Sequence, residues 1–300
     1  MPFFAILSLF PEAIEPYLGA SILGSARERG LLRTEVIDFR DFTRDRHRTV
    51  DDRPFGGGPG MLLRAEPIAE CIEWLEARHG RFRRIALCPS GRVFRQPYAA
   101  QLAADLAQEP RVLLLAGRYE GFDERVLEAF DFERISLGDF VLAGGELPAL
   151  CVVEAVARLL PGVLGHEESA RQDSFATGSS SASPTDAGTA RTPDLAPSGA
   201  PASVLDTPHY TRPRTWRGRE APAVLLSGNH GQIERWRATA ALERTRERRP
   251  DLVGGQSAGQ LAGQLAGQPA GQLAGQPSDA RRAAAPDRGR EVDHERDPQR

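Results

Sequence analysis

Residues 134–148 read Arg-Ile-Ser-Leu-Gly-Asp-Phe-Val-Leu-Ala-Gly-Gly-Glu-Leu-Pro, where two glycine turns and two acids interrupt apolar runs that are otherwise typical of buried strand and helix. Gly138, Gly144 and Gly145 permit backbone angles closed to other residues, and they let main-chain N–H and C=O groups approach a small molecule directly. The segment therefore indicates a ligand-binding loop. Gly144 and Gly145 alone would more often form a plain turn, so this interpretation depends on other segments.

Two upstream segments show the same arrangement. Residues 112–116 form a short apolar run that is typical of a buried parallel strand, and the run leads into a polar loop at 117–124. Residues 84–91 predict another strand, which ends in a turn containing Pro89 and Gly91. Because open α/β sheets bind ligands at the carboxyl ends of their strands, these three strand ends predict one pocket.

Apolar strands alternate with helical patterns over residues 1–168, which predicts an α/β domain with a mostly parallel sheet. The predicted strands are 5–9, 34–39, 85–88 and 112–116, and the predicted helices are 67–78, 97–107 and 148–160.

Three further regions follow this domain. We expect residues 169–207 to be a flexible linker, because its segment 178–203 consists of Ser, Ala, Pro, Thr and Gly with almost no large apolar side chain. Residues 208–253 predict a small helical domain with its best helix at 231–248 and Trp236 as its anchor. Residues 254–300 carry five Ala-Gly-Gln-Leu or Ala-Gly-Gln-Pro repeats and predict a disordered tail.

The net charge of -3 conceals an uneven distribution. Residues 208–250 contain ten arginines and four acidic residues, a net charge of +6 that suits a phosphate backbone, although a solvated helical face would look the same. Cys71, Cys88 and Cys151 lie in apolar segments without metal-like spacing, which predicts buried reduced thiols, no metal site and a cytoplasmic location. The apolar run 3–10 is too short for a signal peptide, and we expect no membrane span.

Five motifs resemble those of the bacterial tRNA (guanine-37-N1)-methyltransferases, a knotted SPOUT-type family. They are RDRHRTVDDRPFGGGPGM at 44–61, GRYEGFDER at 117–125, SLGDFVLAGGELP at 136–148, PGVLGH at 161–166 and PHYTRP at 208–213. The resemblance extends from Met1 to about residue 253, and the segment 178–203 and the tail depart from the family. Five motifs in the right order are far more specific than one glycine pattern.

The resemblance implies a fold, an assembly and a reaction. The fold is an α/β domain with a deep trefoil knot, and the assembly is a homodimer in which the pocket of one subunit faces catalytic residues of the other. The reaction moves a methyl group from S-adenosylmethionine to N1 of guanine 37 in a tRNA whose preceding nucleotide is also guanine. Because N1 of neutral guanine carries a proton, the reaction needs a base and a cation near O6.

Matching the motifs assigns roles to particular residues. Asp173 corresponds to the base, Arg158 to the cation near O6, and Glu120 to a third catalytic candidate. Without the resemblance, Asp173 would be an ordinary loop acid, Arg158 a surface residue at a helix end, and Glu120 an ion-pair partner of Arg118 or Arg125. The matched cofactor-binding residues are Leu87, Pro89, Gly117, Tyr119, Ser136, Leu137, Gly138, Asp139, Phe140, Val141, Leu142, Gly144, Gly145 and Pro148.

The glycine-rich loop at 51–60 lacks the Gly-Lys-Ser/Thr of a phosphate-binding P-loop. By resemblance it belongs to the substrate side, and the matched RNA-binding residues are Arg44, Arg46, Arg48, Asp51, Ser174, His209 and Arg212. Two alternatives remain open at the level of sequence: a related knotted RNA methyltransferase with another target atom, such as a ribose 2′-hydroxyl, and an RNA-binding relative without catalysis. The residues also leave open whether a divalent ion takes part.

Overall fold

The computed structural model describes residues 1–165, 173–175 and 204–253. Its central sheet contains five strands that pair in parallel in the order β2-β1-β6-β5-β7. The strands are β1 (Phe3–Ser8), β2 (Arg33–Asp38), β5 (Arg83–Val93), β6 (Arg111–Ala116) and β7 (Glu133–Ser136). Two short antiparallel ladders join β3 (Asp51–Asp52) to β4 (Leu62–Leu63) and β8 (Thr215–Trp216) to β9 (Arg219–Glu220). The sheet confirms the predicted α/β class.

Helices cover both faces of the sheet. Strand β6 has apolar side chains on both faces: Val112 and Leu114 belong to one apolar core, and Leu113 and Leu115 belong to the other. A strand buried on both sides is a continuous apolar run, as its sequence suggested. One core includes residues of α1 (Pro11–Leu18), α2 (Ser21–Glu28), α4 (Gln96–Asp105) and α6 (Glu146–Ala157), and the other includes residues of α3 (Ala65–His79) and α5 (Glu124–Ala129).

Strand β5 differs from its prediction. The expected turn at Pro89 and Gly91 is wrong, because β5 continues to Val93 and pairs again with β7 after a register shift between Leu87 and Arg92. Gly91 lies against the backbone of β7, where an added Cβ would be only 2.5 Å from the carbonyl carbon of Arg134. Glycine is needed here for a close approach of two backbones, and a turn signal and a close-approach signal look alike in sequence.

The C-terminal part contains one long helix, α7 (His230–Arg248), which matches the predicted 231–248. Its buried residues are Ala241, Leu242 and Thr245. Trp236 is half-buried beside the Tyr210 ring, and its role as the anchor stays a prediction. The hydroxyl of Thr245 accepts a hydrogen bond from the Leu205 backbone N–H at 2.9 Å. The division into domains stays a prediction, and the segment 178–203 and the tail 254–300 lie outside the described residues.

The three cysteines are all free thiols, but only Cys71 is buried. Cys88 is half-buried and Cys151 is exposed, so the prediction of three buried thiols is wrong for these two. Burial raises the pKa of the Cys71 thiol, which makes it unreactive. Residues in an apolar helix or strand can still face outward, and this is the case for Cys151 on α6.

Candidate active site at the carboxyl ends of the strands

The loops that follow β5, β6 and β7 lie together at one end of the sheet. The backbone N–H of Gly145, at the end of the loop after β7, donates to the carbonyl of Gly117 at 2.8 Å, directly after β6. The N–H of Phe94 donates to the carbonyl of Ser136 at 2.7 Å and thereby joins the ends of β5 and β7. The structure therefore brings together the three strand ends from which one pocket was predicted.

Close backbone packing explains why Gly145 is glycine. A Cβ at this position would lie 2.6 Å from Cα of Ala116 and 2.7 Å from the backbone nitrogen of Gly117. Gly138 has φ of +154°, a conformation that side chains rarely adopt. The pair Gly144 and Gly145 is thus more than a plain turn, because the end of β6 and the Arg118 side chain in the loop after it approach the pair too closely for any side chain.

The predicted cofactor-binding residues line this region in two groups. Leu87, Ser136, Gly117 and Gly145 are buried at the strand ends. A second group is exposed: Pro89, Tyr119, Asp139, Phe140, Val141 and Leu142. Leu137, Gly138, Gly144 and Pro148 are half-buried between them.

The loop after β7 has main-chain donors to spare. Within the part of the chain that the structure describes, the N–H groups of Val141, Leu142 and Ala143 donate to no protein acceptor. Beside them lie the exposed apolar side chains of Phe140, Val141 and Leu142. Free backbone donors next to apolar surface fit a nucleoside, which has a flat apolar base and several acceptors.

A buried polar cluster under this loop escaped the sequence analysis. Glu146, the first residue of α6, is 4% exposed and accepts hydrogen bonds on Oε1 from the Ser8 hydroxyl at 2.9 Å and from Arg118 Nε at 3.1 Å. Arg118 Nη2 lies 3.0 Å from Oε2 of the same carboxylate, and the guanidinium stacks on the Phe10 ring with its Cζ 4.3 Å from the centroid. The only sequence signal was an acid between a glycine pair and an apolar helix.

Glu120 does not form an ion pair with Arg118 or Arg125, the alternative role that the sequence left open. Arg118 contacts Glu146, and Arg125 contacts Asp123 at 2.6 Å. The Glu120 side chain instead lies against Gly60 of the glycine-rich loop, and its backbone N–H donates to the carbonyl of Met61 at 3.0 Å. The loop after β6 is therefore joined to the loop at 51–60.

Asp173 and Arg158 form an ion pair in which Oδ2 lies 2.6 Å from Nη1. Arg158 caps the carboxyl end of α6, and both side chains are about one-third exposed. Oδ2 itself is buried and has no partner in hydrogen-bonding geometry among the described residues, because the contact to Nη1 is close but poorly aligned. The ion pair therefore places a carboxylate directly beside a guanidinium.

The two halves of the predicted catalytic site lie far apart within one chain. Gly145 precedes the first turn of α6 and Arg158 follows its last turn. At 1.5 Å of rise per residue, these two positions are about 20 Å apart. The pair of Asp173 and Arg158 consequently does not reach the glycine loop of its own chain.

The predicted RNA-binding residues have mixed surroundings. Arg44 contacts Glu70 at 2.7 Å, and Arg48 contacts Asp41 and lies 3.7 Å from Asp38. Arg46 is exposed and makes no ion pair within the described ranges. Asp51 is half-buried in β3, Ser174 accepts from the Asp206 N–H at 2.9 Å, His209 contacts Asp206 at 2.7 Å, and Arg212 is exposed.

A second concave region lies at the opposite end of the sheet. This cleft of about 610 Å³ is lined by residues at the amino ends of β5, β6 and β7, among them Arg83, Arg84, Arg111 and Glu133. Arg83 contacts Glu133 at 2.5 Å and Asp105 at 2.7 Å, and Arg84 contacts Glu76 at 2.7 Å. Because Arg83 and Arg84 already pair with acidic side chains, the cleft is a weaker candidate for the site despite its volume.

Among the described residues, no group of acidic, histidine or cysteine side chains is arranged to hold a metal ion. In the same part of the chain, no helix is long and apolar enough to cross a membrane. The fold and the loops define an α/β protein with glycine-rich loops at the carboxyl ends of parallel strands.

Comparisons with known proteins identify the family. The profile described as tRNA (Guanine-1)-methyltransferase TrmD matches residues 2–255. A protein of Alcanivorax borkumensis named tRNA (guanine-N(1)-)-methyltransferase is 46% identical over 262 residues, which cover 87% of this chain and 89% of that protein. A protein of the same name from Desulforudis audaxviator is 49% identical over 250 residues, which cover 83% of this chain and 88% of its own. The chain therefore belongs to the tRNA (guanine-1)-methyltransferase family and is a methyltransferase.

Proposed function

We propose that this methyltransferase transfers a methyl group from S-adenosylmethionine to N1 of guanine 37 in tRNAs whose preceding nucleotide is also guanine. The observation that carries the proposal is the ion pair of Asp173 with Arg158, in which carboxylate Oδ2 lies 2.6 Å from guanidinium Nη1. The names of the relatives support a guanine N1 as the target. No described feature favours a ribose hydroxyl or a non-catalytic role.

The cofactor fits the loops at the carboxyl ends of β5, β6 and β7. The free N–H groups of residues 141–143 supply donors, and Leu87 and Phe140 supply apolar surface. When bound, the cofactor supplies an electrophilic methyl group on a sulfonium. Gly117 and Gly145 keep the two loops close together, which would give this ligand access to their backbone groups beside the apolar side chains.

Asp173 acts as the base in this proposal. Its carboxylate accepts the N1 proton of guanine while the N1 electron pair forms the new bond to the methyl carbon, and the carbon–sulfur bond breaks. Arg158 holds the carboxylate in position and stabilises the negative charge that develops on O6. Glu120, in the loop after β6, is the third catalytic candidate and lies at the carboxyl ends of the strands.

The separation of about 20 Å between Gly145 and Arg158 supports a homodimer with a composite site. One subunit contributes the glycine loops and the other contributes Asp173 and Arg158. The exposed apolar side chains Phe140, Val141 and Leu147 support a partner surface around the pocket. A trefoil knot is part of the same proposal, and the close passage of Gly91 against β7 is compatible with it.

The substrate side comprises the loop at 51–60, Arg46 and the basic residues of 208–250. Arg44 and Arg48 would have to exchange their acidic partners for phosphates, whereas Arg46 is available without rearrangement. Ser174, His209 and Arg212 complete the proposed RNA surface. A tRNA substrate also agrees with the cytoplasmic location expected from the cysteines.

The test is product analysis. Purified protein is incubated with unmodified tRNA transcript and methyl-labelled S-adenosylmethionine, the RNA is digested, and the labelled nucleoside is identified. We expect 1-methylguanosine from a transcript with guanines at positions 36 and 37, and none when guanine 37 is replaced by adenine. A 2′-O-methylated nucleoside would indicate the related ribose methyltransferase. Cofactor binding without any labelled product would indicate the non-catalytic relative.

A further inference from the structure

The buried cluster of Ser8, Glu146, Arg118 and Phe10 takes no part in the proposed chemistry, yet it connects the loops that hold the cofactor. Ser8 ends β1, Arg118 stands in the loop after β6, and Glu146 follows the glycine loop after β7. The ring of contacts closes because the Phe10 N–H donates to the Ser8 hydroxyl at 2.9 Å while Arg118 stacks on the Phe10 ring. Three separate strand ends thus share one polar cluster.

Burying the charged groups of this cluster costs free energy that apolar side chains in the same place would not cost. A carboxylate that is 4% exposed loses its hydration, and a buried ion pair can often be replaced by well-packed apolar side chains without loss of stability. The two contacts between Arg118 and Glu146 fix distance and direction together, which apolar packing does not do. The pair is therefore suited to fixing the positions of the loops that carry Arg118 and Glu146.

Two backbone features next to the cluster show what this geometry controls. A Cβ at Gly144 would overlap both the Glu146 carboxylate and the Arg118 guanidinium, so the ion pair packs directly on the glycine loop. Tyr119, which follows Arg118, has φ of +57°, a strained conformation for a residue with a side chain. The anchored Arg118 side chain holds this residue and hence the loop that carries Glu120.

We propose that Glu146 and Arg118, supported by Ser8, are positioning residues that lock the glycine loop to the loop after β6 in the geometry that the cofactor requires. In this proposal their side chains contact neither the methyl group nor the guanine. They act through the backbone of residues 117–120 and 144–145. The inference rests on the proposed function, because S-adenosylmethionine is taken as the ligand of these loops.

The test compares Glu146→Gln with Glu133→Gln, which breaks the pair of Arg83 and Glu133 at the opposite end of the sheet. Glutamine keeps the shape of Glu146 but presents no second carboxylate oxygen to Arg118. Affinity for S-adenosylmethionine is measured by calorimetry without tRNA, and exchange of the Gly145 amide is measured without ligand. We expect Glu146→Gln to weaken cofactor binding by at least about tenfold and to accelerate Gly145 exchange, while Glu133→Gln changes both by less than about twofold.

Arg118 provides an independent route, because its side chain is 27% exposed and tolerates substitution better than Glu146. We expect Arg118→Gln to weaken cofactor binding as Glu146→Gln does, and Arg118→Lys, which keeps the charge without the paired contacts, to weaken it less. The double variant Glu146→Gln/Arg118→Gln should bind no more weakly than the weaker single variant, because the two side chains act as one unit.

The proposal is overturned if cofactor affinity and Gly145 exchange are unchanged in Arg118→Gln, or if the effects of the two single substitutions simply multiply. An equal loss of affinity in Glu133→Gln would also overturn it, because the effect would then follow stability alone. Failure of the proposed function looks different: the wild type would bind the cofactor without producing 1-methylguanosine, or would not bind it, and Gly145 exchange would still test the lock.

Discussion

Each end of the central sheet contains an arginine that pairs with a glutamate, but the two pairs have different surroundings. At the amino ends of β5 and β7, Arg83 contacts Glu133 and Asp105, and the Tyr98 hydroxyl donates to Glu133 at 2.7 Å. At the carboxyl ends of β1 and β6, Arg118 and Glu146 lie beneath a glycine loop with free backbone donors and exposed apolar side chains.

The comparison teaches that a charged pair and a cleft do not identify a site by themselves. At the amino end Arg83 pairs with both Glu133 and Asp105, and the cleft lies over this network. At the carboxyl end Arg118 and Glu146 also pair, but the nearby N–H groups of residues 141–143 have no protein acceptor among the described residues. Main-chain donors without a described acceptor and positions closed to any Cβ distinguish the end proposed to bind the ligand from the opposite end.

Substitution of Gly145 should produce the largest effect. Gly145→Val places atoms where Cα of Ala116 already lies, so the two loops must separate. We expect cofactor binding and methyl transfer to fall by more than about 100-fold, measured by calorimetry and by label incorporation into tRNA.

Gly30→Ala is the matched control, since Gly30 precedes β2 at the amino end, has φ of +67° and has open space around its Cα. It should cost about 1–2 kcal/mol of stability without changing turnover. Equal losses of turnover in both variants would remove the distinction between the two ends.

Removal of the base should have the next largest effect. Asp173→Asn keeps the size of the side chain but cannot accept the N1 proton, so kcat should fall by about 10²–10⁴ while cofactor affinity stays unchanged. Asp105→Asn, in the amino-end network, should lower thermal stability and leave kcat within about twofold of the wild type. If the Asp173→Asn variant remained active, a residue other than Asp173 would have to be the base.

Arg158→Gln should follow, with kcat reduced by about 10²–10³ because the charge on O6 loses its cation. Arg29→Gln is a suitable control, since Arg29 is an exposed arginine that donates to the Gly162 carbonyl at 2.7 Å. Single-turnover measurements separate this effect from tRNA binding. If Arg158→Gln changes only tRNA affinity, Arg158 is an RNA contact and has no role at O6.

The smallest effect concerns Glu133 and concerns stability alone. Burial raises the pKa of Glu133, but hydrogen bonds from Arg83 and Tyr98 outweigh it, so the pKa is lowered from its ordinary value of 4.5. The stabilisation is therefore complete above pH 4.5 and is lost as the pH falls below that value. We expect Glu133→Gln to lower the unfolding temperature at pH 7 by a few degrees, and this difference should shrink on acidification. A difference independent of pH would contradict the assignment.

The sequence predicted much of the sheet because burial on both faces leaves a local signal. The predicted strands 5–9, 34–39 and 112–116 agree with β1, β2 and β6 to within two residues. It did not predict the length of β5, because pairing of residues 92–93 with β7 is a tertiary contact that overrides the turn signal of Pro89 and Gly91. The short helices α1, α2 and α5 were not assigned at all.

The glycine positions of the candidate site were predictable from the sequence. The ion pairs between its side chains were not. Gly144 and Gly145 are visible in sequence because few other residues allow such close approach. The pair of Arg118 and Glu146 spans 28 residues, and its formation depends on the order of the strands. The acidic partners of Arg44 and Arg48 likewise come from other elements, so exposed basic residues could not be separated from paired ones.

The composite site is the central claim, and mixed dimers test it most directly. Asp173→Asn chains keep an intact pocket, and Gly145→Val chains keep Asp173, so each homodimer should be nearly inactive. The two chains are unfolded together and refolded in equal amounts, and mass spectrometry of the intact dimers confirms that about half are mixed.

Each mixed dimer should contain one site with an intact pocket and an intact base, and its other site carries both lesions. Methyl transfer to tRNA should therefore recover to about a quarter of the wild-type rate. No recovery in a sample with confirmed mixed dimers would mean that Asp173 serves the pocket of its own chain, and the composite site would be wrong.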